Sequence, residues 1–202
     1  MIGPAIINIS DAGKLVIKDS EVKRYLGIFG VDNKVEDLLC ALKKEVIEKS
    51  APIATYVRTP VQIYESYVDF GFEKIKSQNL AKNLCGCEEV FVFASTLGME
   101  VDRLIEKYMK IEPSKGVIIS SIASALIESF CDYVNSMLVS ECKSCPRFSP
   151  GYGDFSIVHQ KKILNVLEAN KLLGISLTDS YMMKPSKSVT AIIGIKKTEK
   201  KQ

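Results

Sequence analysis

No stretch of this 202-residue chain is apolar for long enough to cross a bilayer. The longest candidate, Val117-Ile-Ile-Ser-Ser-Ile-Ala-Ser-Ala-Leu-Ile127, meets Glu128 after 11 residues, short of the roughly 20 that a spanning helix needs. A surface of one charge sign is lacking too. The 27 basic and 24 acidic residues leave a net charge of +3, part of it in the tail Lys196-Lys-Thr-Glu-Lys-Lys-Gln202. Phosphate backbones are gripped by clustered basic faces, so nucleic acid is not an expected partner. Met1-Ile-Gly-Pro has no basic start, and Asn8 and Asp11 break the apolar stretch after it. No secretory leader is therefore expected, and the compartment is read as cytoplasmic. Internal repeats and low-complexity linkers are absent. With 47% hydrophobic residues, the chain is read as one domain over 1–195 and a basic flexible tail over 196–202.

Histidine occurs once, at His159, and a surface or helix-start role there is weighed equally with a functional one. Six cysteines in a chain read as cytoplasmic point to reduced thiols. Cys85-Gly-Cys87 and Cys142-Lys-Ser-Cys145 together offer four thiolates to a zinc ion. Against this, the Cys-x-Cys spacing is unlike the common knuckle, and more than 50 residues separate the pairs. Cys145 lies two residues before Arg147, so a redox influence on the loop that begins there stays open.

Periodicity predicts helices and strands without a strict βαβ rhythm. Residues 5–10 and 14–18, joined by Asp11-Ala-Gly13, read as an opening hairpin. A short helix runs from Glu21 to Gly27 or Gly30. The next begins at a capping arrangement of Asn33 and Glu36, with Val35, Leu38, Leu39, Leu42 and Val46 at helical spacing. Residues 55–64 read as a strand that Pro60 demotes to an edge or a bulge, hairpinned with 66–72. Residues 78–84 read as helix, and Glu89-Val-Phe-Val-Phe-Ala-Ser95 as a central buried strand. Helices are expected around Val101 to Tyr108, over 115–139 and over 156–173, and a last strand over 188–196. The class is therefore α+β, with a mainly antiparallel central sheet and packed helices. Gly151-Tyr-Gly153 follows no convincing strand, which argues against a doubly wound nucleotide-binding fold.

The densest chemistry lies in Arg147-Phe-Ser-Pro-Gly-Tyr-Gly-Asp154. Arginine offers a permanent charge and a planar fork suited to a carboxylate. Pro150-Gly151 suits a tight turn, with an aromatic at Tyr152 and an acid at Asp154 beside it. Taken alone, the string also fits an ordinary surface turn. Glu128 comes after a stretch rich in small and apolar residues, and periodicity leaves open whether it faces solvent or a cationic partner. Met182 and Met183 fit packing better than ligand contact.

Arg147-Phe-Ser-Pro-Gly-Tyr152, then His159, a helix, and Leu177-Thr-Asp-Ser180 with a Met and a Pro beyond, resembles the S-adenosylmethionine-binding activation domain of cobalamin-dependent methionine synthase. Glu21-Val-Lys-Arg-Tyr-Leu-Gly27 is similar to that family's first helix. Leu126-Ile-Glu-Ser-Phe-Cys-Asp-Tyr133 is similar to the helix with its acidic ligand residue, and Thr96-Leu-Gly98 to a further segment. The likeness runs in order from about residue 20 to residue 195.

The resemblance implies S-adenosylmethionine as cofactor. Arg147 would take its carboxylate and Glu128 its ammonium or a ribose group, while Phe148, Ser149, Pro150, Gly151 and Tyr152 line the adenosine. His159, Thr178, Asp179 and Ser180 would face a corrinoid. No catalytic residue is implied, because the sulfonium is already a good leaving group and catalysis is mainly positioning. The implied role is reactivation of vitamin B12-dependent methionine biosynthesis, a methyltransferase step. An electron from a flavodoxin-like reductant and a methyl group restore methylcobalamin on cob(II)alamin by reductive methylation. The cobalamin would come from a partner chain, a methionine synthase or related corrinoid protein, because no Asp-x-His-x-x-Gly motif occurs here. Two other readings stay open: a non-catalytic module that senses S-adenosylmethionine or docks on a corrinoid protein, and an unrelated α+β enzyme with a carboxylate substrate. His159 is displaced by one residue from the family pattern. The family's acidic ligand residue near the N-terminus and its C-terminal extension have no clear counterpart.

Overall fold

The computed structural model describes residues 2–9, 11–27, 33–140 and 143–196. Ser10, Gly30, Cys142 and the tail from 197 lie outside these, as do the side chains of Asn33, Val35 and Glu36.

The apolar run around Phe91 forms β6 (Cys87–Thr96), whose residues 90–96 are all buried. It lies between β2 (Ile53–Pro60) and β9 (Ser188–Lys196), and β1 (Ile2–Asn8) completes an antiparallel sheet in the order β1-β2-β6-β9. Antiparallel sheets often leave one face to water. This one is covered on both. Val189, Ala191, Ile193 and Ile195 of β9 face a core shared with α1 (Asp19–Leu26), α2 (Asn33–Lys49), α4 (Met99–Ile111) and α5 (Pro113–Leu138). Val90 and Val92 of β6 and Ile192 of β9 face a second core. It is closed by α3 (Gln78–Asn83), α6 (Gln160–Val166), α7 (Ala169–Leu173) and a small sheet of β3 (Gln62–Ile63), β4 (Tyr67–Asp69) and β5 (Lys74–Lys76). Strands β7 (Ser176–Leu177) and β8 (Met183–Lys184) make a hairpin of their own.

The α+β, mainly antiparallel architecture is as expected; several local readings are not. The opening hairpin does not form. Asp11 Oδ1 accepts from the Gly13 N–H at 2.8 Å, which starts a single 3-10 turn over Ala12–Lys14. Residues 15–18 carry no regular structure, and β1 pairs with β2, Asn8 opposite Ile53. Pro60 does not demote its strand: it is the last residue of β2, which runs inside the sheet. The helix expected over 156–173 is divided. A 3-10 turn over Ile157–His159 leads into α6, and Glu168, at φ 48°, separates α6 from α7 before Gly174 closes the run.

Helix α5 is the spine of the molecule. Glu128 does not interrupt it, so by length and composition it is long and apolar enough to cross a membrane. Its apolar side is nevertheless occupied: 56% of its most apolar window is buried, with Ile119, Ile122, Leu126, Phe130 and Val134 fully in the core. Truncating Phe130 to alanine would cost about 3–5 kcal/mol. Gly116 allows α4 and α5 to approach, since a Cβ there would lie 2.8 Å from the Met109 backbone nitrogen.

Candidate functional site

Arg147 is placed by an irregular strip of chain laid along the outer edge of β9. Cys145 N donates to Gly194 O at 2.9 Å, and Phe148 and Ile192 exchange two hydrogen bonds, of 3.0 and 2.9 Å. Ser144 lies opposite Ile195 and Phe148 opposite Ile192, so four steps of the strip face three of the strand. This mismatch is a bulge, and a bulge re-aims side chains. Cys145 and Phe148 both enter the second core, while Arg147 turns to α5.

The face that α5 offers is a polar stripe at i+4 spacing: Ser120, Ser124, Glu128 and Asp132. Two cations sit on it. Lys187 donates to Ser120 Oγ at 3.0 Å and Ser124 Oγ at 2.9 Å. Burial pushes its amine below the ordinary lysine range, against the pull of Asp102. Arg147 donates to Glu128 at 3.2 Å and Asp132 at 2.8 Å. At 1.5 Å per residue the two cation stations are about 12 Å apart along the helix.

Arg147 is thus ion-paired, and it also borders open space on both sides. A cavity of about 500 Å³ is lined by Lys14, Lys18, Glu21, Asp132, Tyr133 and others, together with Glu128 and Arg147. A second, of about 300 Å³, shares Glu128 and Arg147 and adds Ser149, Pro150, Tyr152, Gln160, Met183 and Thr190 among its walls. A third, of about 450 Å³, shares Pro150, Gln160, Met183 and Ser188 with the second and extends to Ile105, Glu106 and Met182. The Arg147–Glu128 pair stands between the first two. With side chains 23% and 49% exposed, it resembles a surface ion pair, worth about 0–1 kcal/mol. A ligand with a carboxylate and an ammonium can exchange those partners at small cost.

The structure therefore brings Glu128, Arg147, Ser149, Pro150 and Tyr152 to one cavity. Phe148 is instead bound by its backbone to β9 and stacked on Phe155, ring centroids 6.3 Å apart. Gly151, at φ 95°, supplies the turn, donating to Phe155 O at 2.7 Å. Asp154, read from sequence as part of the ligand loop, faces the other way. It takes the Ser77 hydroxyl and the N–H groups of Gln78 (2.7 Å) and Asn79 (3.2 Å) at the start of α3. His159 Nδ1 lies 2.9 Å from Glu73 Oε1, outside these three cavities. Thr178 borders the third cavity, while Asp179 and Ser180 are exposed at the tip of the β7–β8 hairpin. Of the four thiols weighed for a zinc ion, Cys142 lies outside the described residues. Cys87 and Cys145 meet at 3.4 Å in the second core, where burial pushes Cys87 up to about 12, and Cys85 is exposed.

Sequence reasoning missed Lys18, Glu21, Gln160, Met183, Ser188 and Thr190 as wall residues. Glu21 stood inside a motif that was read as a helix only. An acid reaching the Arg147 cavity from the N-terminal region is supplied by this residue.

Comparison with known proteins bears on the family resemblance and the fold. Residues 134–201 match the family described as vitamin B12 dependent methionine synthase, activation domain. A search of curated proteins finds no match. Among solved structures, the crystal structure of the MetH reactivation domain bound to AdoHcy shares the fold with a TM-score of 0.70. The match has 14% sequence identity and covers 99% of this chain and 80% of that one. The resemblance read from the sequence is thus met twice, by a family match over the site loop and the last strand and by the fold of the whole chain.

Proposed function

We propose that the cleft binds S-adenosylmethionine and its demethylated product, and that the chain serves as a reactivation subunit for a cobalamin-dependent methionine synthase or related corrinoid protein. The carrying observation is that Arg147 and Glu128, the two residues assigned opposite ends of the ligand's zwitterion, border the same two cavities. They also pair with each other, at 3.2 Å. The ligand's carboxylate replaces Glu128 on the guanidinium, and its ammonium takes the vacated Glu128, with Glu21 in reach of the same cavity. Ser149, Pro150 and Tyr152 border the adenosine. The sulfonium needs no base, so these residues hold the methyl donor in position while the partner's reduced cobalamin accepts. A flavodoxin-like protein supplies the electron. Thr178, Asp179, Ser180 and His159 complete the partner-facing side of this reading.

Calorimetric titration with S-adenosylhomocysteine tests binding: one site is expected in the wild type, and binding about a hundredfold weaker in Arg147→Ala. Turnover is tested by mixing the chain with a cob(II) methionine synthase lacking its own activation domain, a reductant and methyl-labelled donor. Labelled methylcobalamin is the expected product. Binding without label would make the chain a sensing or docking module, and absence of binding would remove the reading altogether.

A further inference from the structure

Gln160 borders the cleft, is almost wholly removed from water at 4% exposure, and has both ends of its amide engaged. Its Oε1 accepts from Thr190 Oγ1 at 3.1 Å, and its Nε2 donates to Tyr181 O at 3.0 Å. A carbonyl cannot donate, so the amide's orientation is fixed by its partners. Thr190 belongs to the central sheet. Tyr181 belongs to the hairpin tip, where it holds the left-handed φ of 63° and donates its own N–H to Thr178 O at 2.9 Å. Beyond its own contacts, the tip leads directly into Met182 and Met183. Met183 stands with Pro150, Ser188 and Gln160 between the second and third cavities.

We propose that Gln160 is a positioning residue for the nucleoside end of the ligand: its amide spans Thr190 and Tyr181 and so keeps the Met183 wall in place. This rests on the reading that the cleft takes an S-adenosyl ligand anchored at Arg147. The dependence runs through a donor. A side chain that still accepts from Thr190 but cannot donate to Tyr181 sets an acceptor against the carbonyl and frees the hairpin, while the Arg147 end is untouched. Glutamate is such a side chain when ionised. When protonated it donates again, and burial shifts its protonation toward neutral pH.

The test is titration of wild type, Gln160→Glu and Thr190→Val with S-adenosylhomocysteine and with methionine, between about pH 8 and about pH 5, with far-ultraviolet circular dichroism as the folding control. At the alkaline end Gln160→Glu should bind S-adenosylhomocysteine about tenfold more weakly than wild type, the effect of one lost buried hydrogen bond. The ratio to wild type should return toward one on acidification, and methionine affinity should not change. Thr190→Val, which removes only the sheet-side contact, should weaken S-adenosylhomocysteine by a few-fold without the pH recovery. This variant carries the test if the glutamate variant does not fold. Equal affinities for wild type and the variants, or a loss that is the same for both ligands and at both pH values, would overturn the proposal. A wild type that binds neither ligand would overturn the cleft assignment itself.

Discussion

Arg147 and Asp154 lie seven positions apart in one loop, each with charge-assisted partners on another element, yet they are built for different ends. Asp154 receives three donors at the start of α3, a site that favours a negative charge permanently. Its partner Ser77 is itself 1% exposed and accepts from Leu80 N at 3.0 Å. Arg147 leans on two carboxylates that are 49% and 76% exposed and flanked by cavities. The difference shows how to sort charged residues in a loop. The one whose partners are backbone donors and buried hydroxyls holds the fold, and the one whose partners are exposed carboxylates is free to change them.

This contrast can be broken experimentally. The largest effect belongs to Arg147→Ala, which should weaken S-adenosylhomocysteine about a hundredfold, the equivalent of about 3 kcal/mol of charge-assisted hydrogen bonding. Its thermal midpoint should hardly move, because exposed ion pairs contribute little. Ser77→Ala should do the reverse, removing about 1–2 kcal/mol of stability in urea unfolding while leaving affinity within a few-fold of wild type.

Acid should act through the Asp154 end. The Ser77 hydroxyl, then the Gln78 and Asn79 N–H groups, hold the Asp154 carboxyl below the ordinary carboxylate range. The folded state therefore prefers the ionised form. Its contribution is present above the unfolded value of about 3.9 and is lost as pH falls through the lower folded value. Stability measured across that acid window should drop less in Asp154→Asn than in wild type. Glu128→Gln should cost about three- to tenfold in ligand affinity, as one charge-assisted contact to the ammonium becomes neutral. The smallest effect is expected from His159→Ala. Its ring is engaged with Glu73, outside the three cavities, so S-adenosylhomocysteine affinity should stay unchanged.

The sequence placed these two residues in one loop without showing where each turns, and the reason is general. Periodicity reports which face of an element meets a core, so β6, β9, α4 and α5 were legible, with the alternation of Val189, Ala191, Ile193 and Ile195. It does not report which strand a strand pairs with. Local turn chemistry at Asp11-Ala-Gly13 suggested a hairpin, but the same aspartate closes a 3-10 turn on the N–H two residues on, leaving β1 to find β2 some 45 residues away. Glu168 gave no warning of a left-handed break, because neither glycine nor asparagine marks it. In the site, Arg147, Pro150 and Tyr152 were legible as a motif. Gln160 and Glu21 were not, because a wall residue on a helix looks like any polar residue until the neighbouring elements are in place.

The central claim, that the Arg147 guanidinium grips the carboxylate of an S-adenosyl ligand, is tested most directly by pairing two deletions. S-adenosylhomocysteine and its decarboxylated analogue are each titrated calorimetrically into wild type and Arg147→Ala. Wild type should prefer the carboxylate-bearing ligand about a hundredfold, and that preference should vanish in the variant. A preference that survives removal of Arg147, or a wild type indifferent to the carboxylate, would contradict the account.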